Sequence, residues 1–310
     1  MNGPAVSVMM TAYNRAQYIG VAIESVLAST FRDFELVVVD DGSIDGTQDI
    51  VKGYAVRDSR IRFHQNETNL GDYPNRNRAA SLARGKWLKY VDSDDYIYPH
   101  GLDVLVSTME RFPEAGYGLC SFPALRDQPY PLCFSPREAY RHHYFESSLF
   151  HRAPLSAIIL RSAWEAVGGF PAERMTSDMG MWHRLSKRYP VVLMADGVVW
   201  YRAHDEQEAT IHAAQREFWA LRYQAITERA LLDPDVPLTV AERQSIARRL
   251  WHADMKAMLK LLAKQRFADA RGYLAQAQRF RALSARTVPA QCASPATEEL
   301  PRGTGSQCPD

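Results

Sequence analysis

The chain has 310 residues, with 37 Lys and Arg against 36 Asp and Glu, and only four Cys. This length suits one large α/β domain with an appendage or two small domains, and the 46% hydrophobic and 24% charged fractions exclude collagen-like, coiled-coil and wholly disordered chains. A net charge of +1 gives no overall attraction to nucleic acid, so we expect no nucleic-acid partner. The cysteines form no C-x-x-C pair, and the sequence shows neither a signal peptide nor an 18-residue apolar run, which predicts a cytoplasmic protein.

Short β-rich runs alternate with helical patterns through residues 5–122. The predicted strands are residues 6–10, 36–39, 61–64 and 87–91. The predicted helices are residues 17–28, a segment opening at Asp45-Gly46-Thr47, residues 74–82 and a segment after Pro99. The continuous apolar run at 36–39 is typical of a strand covered on both faces. The alternation therefore predicts a mostly parallel sheet flanked by helices, with a ligand at the carboxyl ends of its strands.

The rest of the chain divides into three further regions. Residues 123–212 are less regular, with a helix expected from Asp178 and strands at 191–194 and 198–202. Residues 213–285 predict only helices, one of them opened by a capping box at Thr239-x-x-Glu242, and carry 13 Lys and Arg against 7 Asp and Glu, a net of +6. These cations are either a solvated helix face or a surface for anionic lipid or a phosphorylated acceptor. The proline-rich residues 286–310 predict a disordered tail.

Two acidic pairs follow predicted strands. Asp40 and Asp41 follow the buried run, and because a carboxylate only accepts hydrogen bonds it would select a base with a ring N–H, as in uracil, thymine or guanine. Asp92 and Asp94 lie on an extended segment, where alternate residues point the same way and can converge on Mg²⁺ or Mn²⁺. An Asp-Gly turn with a helix cap remains the alternative for the first pair, and a solvated acidic turn for the second.

A single acid, Asp178, lies where a helix begins. Such a residue is often only a helix cap, and a general base across a cleft from a leaving group is the alternative.

Ordered short motifs over roughly residues 5–205 resemble those of the family-2 inverting glycosyltransferases. The motifs are residues 6–15, 23–27 and 31–47, Asn69-Leu70-Gly71, Arg76-Asn77, Asp92-x-Asp94-Asp95, Val167-Gly168-Gly169-Phe170 and Asp178-x-x-x-Trp182. Each motif is weak by itself, but their order is specific to the family. The resemblance implies a GT-A fold, in which residues 1–122 form the nucleotide-sugar-binding half and residues 123–212 the acceptor and catalytic-base region of the same domain.

The resemblance also implies roles for individual residues. The implied nucleotide-sugar-binding residues are Thr11, Tyr13, Asn14, Arg15, Asp41, Arg76, Asp92 and Ser93. Tyr13 would stack on the base, and Asp41 would accept its ring N–H. The implied metal ligands are Asp94, Asp92 and His204, the last within Tyr201-Arg202-Ala203-His204, and Asp178 would be the catalytic base.

The implied activity is inverting transfer of a sugar, with a divalent cation (Mn²⁺ or Mg²⁺), from a nucleoside diphosphate sugar to an acceptor hydroxyl. UDP is the favoured nucleotide, with dTDP and GDP as alternatives, and the expected setting is surface polysaccharide synthesis on a saccharide or lipid-linked acceptor. The Gln-x-x-Arg-Trp signature of processive synthases is absent from the sequence, which favours single addition. A polyprenyl-phosphate sugar transferase and a non-catalytic nucleotide-sugar-binding module remain alternatives.

The acceptor side is less defined. Ser177 and Gly180 stand where many family members carry acids beside the base. Acceptor specificity is expected in a surface loop at residues 122–151, where His142 and His143 would point in opposite directions on an extended segment. The basic helices after residue 213 would suit peripheral contact with the inner face of a membrane, or a homodimer.

Overall fold

The computed structural model describes residues 3–123, 128–171, 173, 176–204 and 216–285. Within the first part, the strands are β1 (Val6–Ala12), β2 (Phe34–Asp40), β3 (Ile61–Gln65), β4 (Trp87–Tyr90), β5 (Tyr96–Ile97) and β6 (Tyr117–Phe122). The helices between them are α1 (Ile19–Leu27), α2 (Thr47–Arg57), α3 (Asp72–Leu82) and α4 (Gly101–Glu110). The predicted alternation is confirmed, and α3 begins two residues earlier than predicted.

The later elements are β7 (Leu132–Phe134), α5 (Pro136–Arg141), a π-helical turn (His142–Glu146), a 3-10 turn (Pro154–Ser156), β8 (Ala157–Leu160), α6 (Arg161–Val167), α7 (Ser177–Ser186), β9 (Val191–Ala195) and β10 (Val199–Trp200). The C-terminal helices are α8 (Arg216–Leu232), α9 (Val240–Ala263) and α10 (Phe267–Ser284). Both the predicted boundary between residues 212 and 213 and the predicted tail at 286–310 lie outside the described residues. No helix among the described residues is long and apolar enough to cross a bilayer.

One eight-stranded sheet organises the α/β part, with strand order β3-β2-β1-β4-β8-β6-β9-β7. The first four strands are parallel, β8 runs antiparallel to both of its neighbours, β6 and β9 are parallel, and β7 is antiparallel to β9. Every residue of β2 is buried. Val37 and Val39 join one core cluster and Leu36 and Val38 join another, which confirms that the strand is covered on both faces.

The sheet brings three strand ends together. Ala12 at the end of β1 is opposite Asp40 at the end of β2, and Met9 of β1 is opposite Tyr90 at the end of β4. The backbone N–H of Asp41 then donates to the carbonyl of Ala12 at 2.8 Å. The acidic segments after β2 and β4 therefore both lie beside the end of β1.

The stretch expected to be an acceptor loop is more regular where the structure describes it. Residues 128–151 form β7, α5 and the π-helical turn, and Tyr140 and Phe150 are completely buried. His142 and His143 lie in that helical turn, so the prediction of an extended segment is wrong. The ring of His143 packs on the ring of Phe150, with 4.3 Å between their centroids.

Candidate active site

A cavity of about 790 Å³ opens at the joined ends of β1, β2 and β4. Nine of the eleven residues to which the resemblance gives a binding, metal or catalytic role line it: Thr11, Tyr13, Arg15, Asp41, Arg76, Asp92, Ser93, Asp94 and Asp178. Asn14 and His204 are not among its lining residues. No residue of the described part of 122–151 lines it either, and the nearest lining residues along the chain are Ala153 and Pro154.

Asp41 occupies the β2 end of the cavity and is almost fully buried. Its carboxylate accepts hydrogen bonds from the Asn66 amide at 2.7 Å and from the backbone N–H groups of Leu70 at 2.8 Å and Gly71 at 2.9 Å. A carboxylate has about four acceptor positions, so these three bonds leave it room for one further donor. Asp41 thus orders the 69–71 segment and still offers an acceptor to the cavity.

Its neighbour Asp40 has a structural role instead. One oxygen of the Asp40 carboxylate accepts from the backbone N–H groups of Gly42 and Ser43 and from the side chain of Gln48. Gly42 has φ of +84°, a conformation that favours glycine. The Asp-Gly turn foreseen as an alternative is therefore present, and it is built by Asp40 rather than Asp41.

The segment after β1 contains Tyr13, whose ring is exposed, and Asn14, which hydrogen-bonds to the turn after β2. Tyr13 is 49% exposed at the cavity, so one face of its ring is available for stacking. Asn14 has a backbone φ of +51°. Its side-chain oxygen accepts a hydrogen bond from the backbone N–H of Ile44, and its backbone N–H donates a hydrogen bond to the Ser43 hydroxyl. Asn14 therefore ties the β1 end to the turn after β2.

Arg76 links helix α3 to the acidic segment after β4. Its guanidinium donates to both oxygens of Asp92, at 2.5 and 3.1 Å, and to Asp72 one helical turn earlier at 2.8 Å. Such a bidentate pair fixes the orientation of both groups. Burial by itself would lower the pKa of Arg76, but the charges of Asp72 and Asp92 together with the hydrogen bonds to Asp92 raise it well above its ordinary value, so the residue stays charged.

Asp94 has two partners on other segments. Its Oδ2 atom accepts from Arg15 Nε at 3.2 Å and lies 3.0 Å from His204 Nε2. The backbone N–H of Arg202 donates to Asp95 at 3.0 Å, which holds the 201–204 segment against the acidic motif. Asp95 is almost fully buried, and burial together with the charges of Asp92 and Asp94 raises its pKa.

The cavity is strongly acidic. Its lining includes six Asp (41, 72, 92, 94, 95 and 178) against two Arg (15 and 76), and it keeps an excess of negative charge even though the raised pKa values of Asp95 and Asp178 leave those two carboxyls partly protonated at neutral pH. No group of three or more His, Cys, Asp or Glu among the described residues is arranged to hold a metal ion. Asp94 and His204 do converge, and Mg²⁺ or Mn²⁺ in proteins commonly takes few side chains and completes its shell with substrate phosphates and water. The donor set and the excess negative charge therefore fit a divalent cation that enters with a diphosphate.

Asp178 lies in the first turn of α7, where the backbone N–H of Met179 donates to its carboxylate at 2.7 Å. Burial raises the pKa of Asp178 to about 7, and this effect exceeds the opposing effects of that hydrogen bond and of Arg76. A carboxylate with such a pKa is a much stronger base at neutral pH than an ordinary aspartate, which suits proton removal from a hydroxyl.

Asp72, Tyr73 and Tyr223 are among the lining residues that were not singled out from the sequence. Asp72 had a readable signal, because it lies four residues before Arg76 on one helix face. Tyr223 had none: it comes from α8, far along the chain, and packs edge-to-face on His151 with centroids 5.1 Å apart. Burial and the nearby charge of Asp178 raise the pKa of Tyr223 to about 12, so the phenol stays protonated. Tyr73, the third, is buried beside Phe170.

A buried amine lies beneath the acidic motif. Lys89 is completely buried in the middle of β4, and its ammonium donates to the carbonyl of Leu155. Burial lowers the pKa of Lys89, whereas the charges of Asp92 and Asp95 raise it. A lysine within an otherwise apolar predicted strand was the signal that could have identified this residue.

The sequence of residues 7–158 matches the model of the family described as glycosyl transferase family 2. Among relatives, an uncharacterised glycosyltransferase of Methanocaldococcus jannaschii is 38% identical over 113 residues, 36% of this chain and 39% of that protein. TuaG of Bacillus subtilis, whose name places it in teichuronic acid biosynthesis, is 40% identical over 120 residues, 37% of this chain and 48% of that protein. This chain thus spans less than half the length of either relative.

Solved structures share the fold over most of the chain. Residues 1–349 of S. aureus TarS, in complex with UDP-GlcNAc, match with a TM-score of 0.63 and 19% identity over 89% of this chain and 91% of that one. The mannosyltransferase PcManGT of Pyrobaculum calidifontis, in complex with GDP-Man and Mn²⁺, matches with a TM-score of 0.59 and 18% identity over 91% of this chain and 86% of that one. Residues 7–158, just under half of the chain, thus match glycosyl transferase family 2, and the solved structures share the fold over most of the chain.

Proposed function

We propose that this protein is an inverting glycosyltransferase that moves one sugar from a nucleoside diphosphate sugar to an acceptor hydroxyl. The observation that carries the proposal is that one cavity contains both an Asp178 carboxyl with a pKa near 7 and the acidic motif at the end of β4. The first supplies a base for the acceptor, and the second supplies a place for a cation and a diphosphate.

The nucleobase of the donor is proposed to bind at the ends of β1 and β2. Tyr13 would stack on the base, and the remaining acceptor position of Asp41 would receive its ring N–H. Uracil, thymine and guanine have that N–H, so we propose a UDP-sugar first, with dTDP- and GDP-sugars as alternatives. TarS was solved in complex with UDP-GlcNAc and PcManGT in complex with GDP-Man, so related folds accommodate both a pyrimidine and a purine.

The diphosphate is proposed to lie between Arg15, Arg76 and the acidic motif. Asp94 and His204, with Asp92 beside them, would hold Mn²⁺ or Mg²⁺, which when bound neutralises charge on the departing diphosphate. Arg76 holds Asp92 in place through two hydrogen bonds, so this carboxylate is oriented before a donor arrives. Ser93 lines the same part of the cavity.

In the reaction itself, Asp178 would take the proton of the acceptor hydroxyl as the hydroxyl oxygen bonds to the anomeric carbon. The bond from that carbon to the diphosphate oxygen breaks at the same time, so the nucleoside diphosphate leaves and the anomeric configuration inverts. Only one carboxylate is needed as a base in such a single displacement. The name of TuaG supports a further step, that the acceptor is a saccharide or lipid-linked saccharide of a cell-surface polysaccharide.

The proposal is tested by thermal-shift titration with UDP, GDP, dTDP, CDP and ADP, each with Mn²⁺ or with a chelator. A ligand that binds only the folded chain stabilises it by about 2.7 kcal/mol at one hundred times its Kd. We expect a Mn²⁺-dependent shift with UDP, dTDP or GDP and none with CDP or ADP. The matching nucleotide-sugars are then incubated with glycan acceptors, and release of the nucleoside diphosphate is measured.

A variant of matched chemistry controls the assay. Asp178→Asn should keep the nucleotide shift and lose transfer, whereas Asp49→Asn, which changes an exposed residue of α2, should alter neither. A shift of equal size with all five nucleotides, or with chelator present, would contradict the proposed donor site. Transfer that survives in Asp178→Asn would contradict the proposed base.

A further inference from the structure

The outward face of α9 carries only positive charge toward its C-terminal end. Lys256 and Lys260 lie one turn apart along one stripe of the helix, and Lys264, four residues further on, is its C-cap. All three are exposed, and none of their ammonium groups forms an ion pair with another described residue. Met258 and Leu261 are buried on the opposite side. This stripe is therefore a fixed line of solvated cations.

No carboxylate offsets these charges locally. Residues 255–268 contain no Asp or Glu. Arg266 is engaged with both Glu217 and Asp269, and the next acid along α9, Asp254, is buried and accepts a hydrogen bond from a glutamine. The lysine charges are thus available to an outside partner.

Large apolar side chains accompany the lysines. Leu259 is 59% exposed, Leu262 is 40% exposed, and Phe267, at the start of α10, is 59% exposed. We call this surface the α9–α10 tip: it comprises Lys256, Leu259, Lys260, Leu262, Lys264 and Phe267. Exposed apolar residues are normal when scattered singly, but several together beside cations are typical of surfaces that rest on a membrane.

We propose that the α9–α10 tip binds the surface of a membrane that contains anionic lipids. The lysines complement the negative headgroups, and the leucines and the phenylalanine enter the boundary between headgroups and acyl chains. A soluble polyanion would use the lysines but gain little from the exposed leucines, so the combination favours a bilayer. No residue of the tip lines the cavity, so membrane binding can be tested separately from sugar transfer.

The test uses the 310-residue chain and two kinds of vesicle, phosphatidylcholine alone or phosphatidylcholine mixed with phosphatidylglycerol. The bound fraction is measured by flotation at low and at high salt. We expect binding to the mixed vesicles only, weakened by salt because the charges are solvent-exposed. Each lysine near an anionic surface contributes about fivefold in affinity, so K256Q/K260Q/K264Q should reduce binding about 100-fold. L259S/L262S/F267S should also reduce it.

The matched control neutralises three exposed cations of the α/β part, in R32Q/K52Q/K86Q, and should bind as the original chain does. Circular dichroism and thermal melting verify that every variant is folded. Equal binding by the lysine variant and the control variant would overturn the proposal, as would equal binding to both kinds of vesicle. Loss of a dimer in L259S/L262S/F267S without any vesicle binding would also overturn it, and would assign the tip to a second copy of the chain.

Discussion

Replacing Asp178 by Asn is expected to make the protein a poorer enzyme and a more stable one at alkaline pH. In the unfolded chain this carboxyl loses its proton near pH 3.8, whereas burial in the folded chain raises its pKa to about 7. The folded state therefore binds the proton more tightly between these two values. The free energy of unfolding falls as the pH rises from 3.8 to about 7 and levels off above it.

The size of the effect follows from the two pKa values. At about 1.4 kcal/mol for each tenfold change, the gap between 3.8 and about 7 corresponds to roughly 4 kcal/mol. This is an upper limit because the carboxyl faces the cavity, where solvent screens its charge. Asparagine is uncharged, has nearly the same shape and keeps an oxygen for the N–H of Met179. We expect Asp178→Asn to stabilise the chain by about 2 kcal/mol more at pH 8 than at pH 5.

The assay combines urea unfolding at pH 5 and pH 8 with nucleotide release in the presence of acceptor. Loss of a general base lowers turnover by about 10²- to 10⁴-fold. Asp49→Asn, with an exposed carboxyl on α2, should change neither quantity. An Asp178→Asn variant with no pH-dependent gain in stability would refute the argument that this carboxyl is held in an unfavourable environment. Full turnover would refute its assignment as the base.

Three further predictions concern the cation, the acceptor and the C-terminal helices. Asp94→Ala removes the carboxylate shared by Arg15 and His204, and should weaken nucleoside diphosphate binding in Mn²⁺ about tenfold or more; unchanged affinity by calorimetry would disprove its role. Tyr223→Ala should lower kcat/KM for the acceptor about two- to tenfold and leave nucleotide affinity unchanged, and an equal loss of nucleotide affinity would show that the ring serves the donor instead. Thr239→Ala removes the hydroxyl that caps α9 and should lower the free energy of unfolding by about 1 kcal/mol in urea, whereas Thr239→Ser should not; equal stability of both variants would contradict the capping role.

The strands of the first half could be predicted because their cause is local. The run at residues 36–39 is apolar at every position, a pattern typical of a strand covered on both faces. The capping box of α9 is equally local, since Thr239 and Glu242 satisfy each other's backbone groups within one turn.

The gathering of the acidic segments was also predictable, for a topological reason. Parallel strands end at the same edge of a sheet, so acids that follow β2 and β4 must lie near the end of β1. That rule places Asp41 and Asp92 in one cavity without any knowledge of side-chain packing. It does not reveal that Asp40, which precedes Asp41 in the chain, accepts hydrogen bonds from the backbone of the following turn.

Partners and environments were decided by the tertiary structure alone. The bidentate bond from Arg76 to Asp92, the burial that raises the pKa of Asp178 and the arrival of Tyr223 from α8 all join segments far apart in the chain. The packing of the His143 ring on Phe150 likewise joins groups that the sequence pattern does not pair. Sequence determined which groups follow each strand, because backbone periodicity acts over a few residues; the fold determined how those groups are charged and paired, because desolvation and hydrogen bonding depend on every atom packed around them.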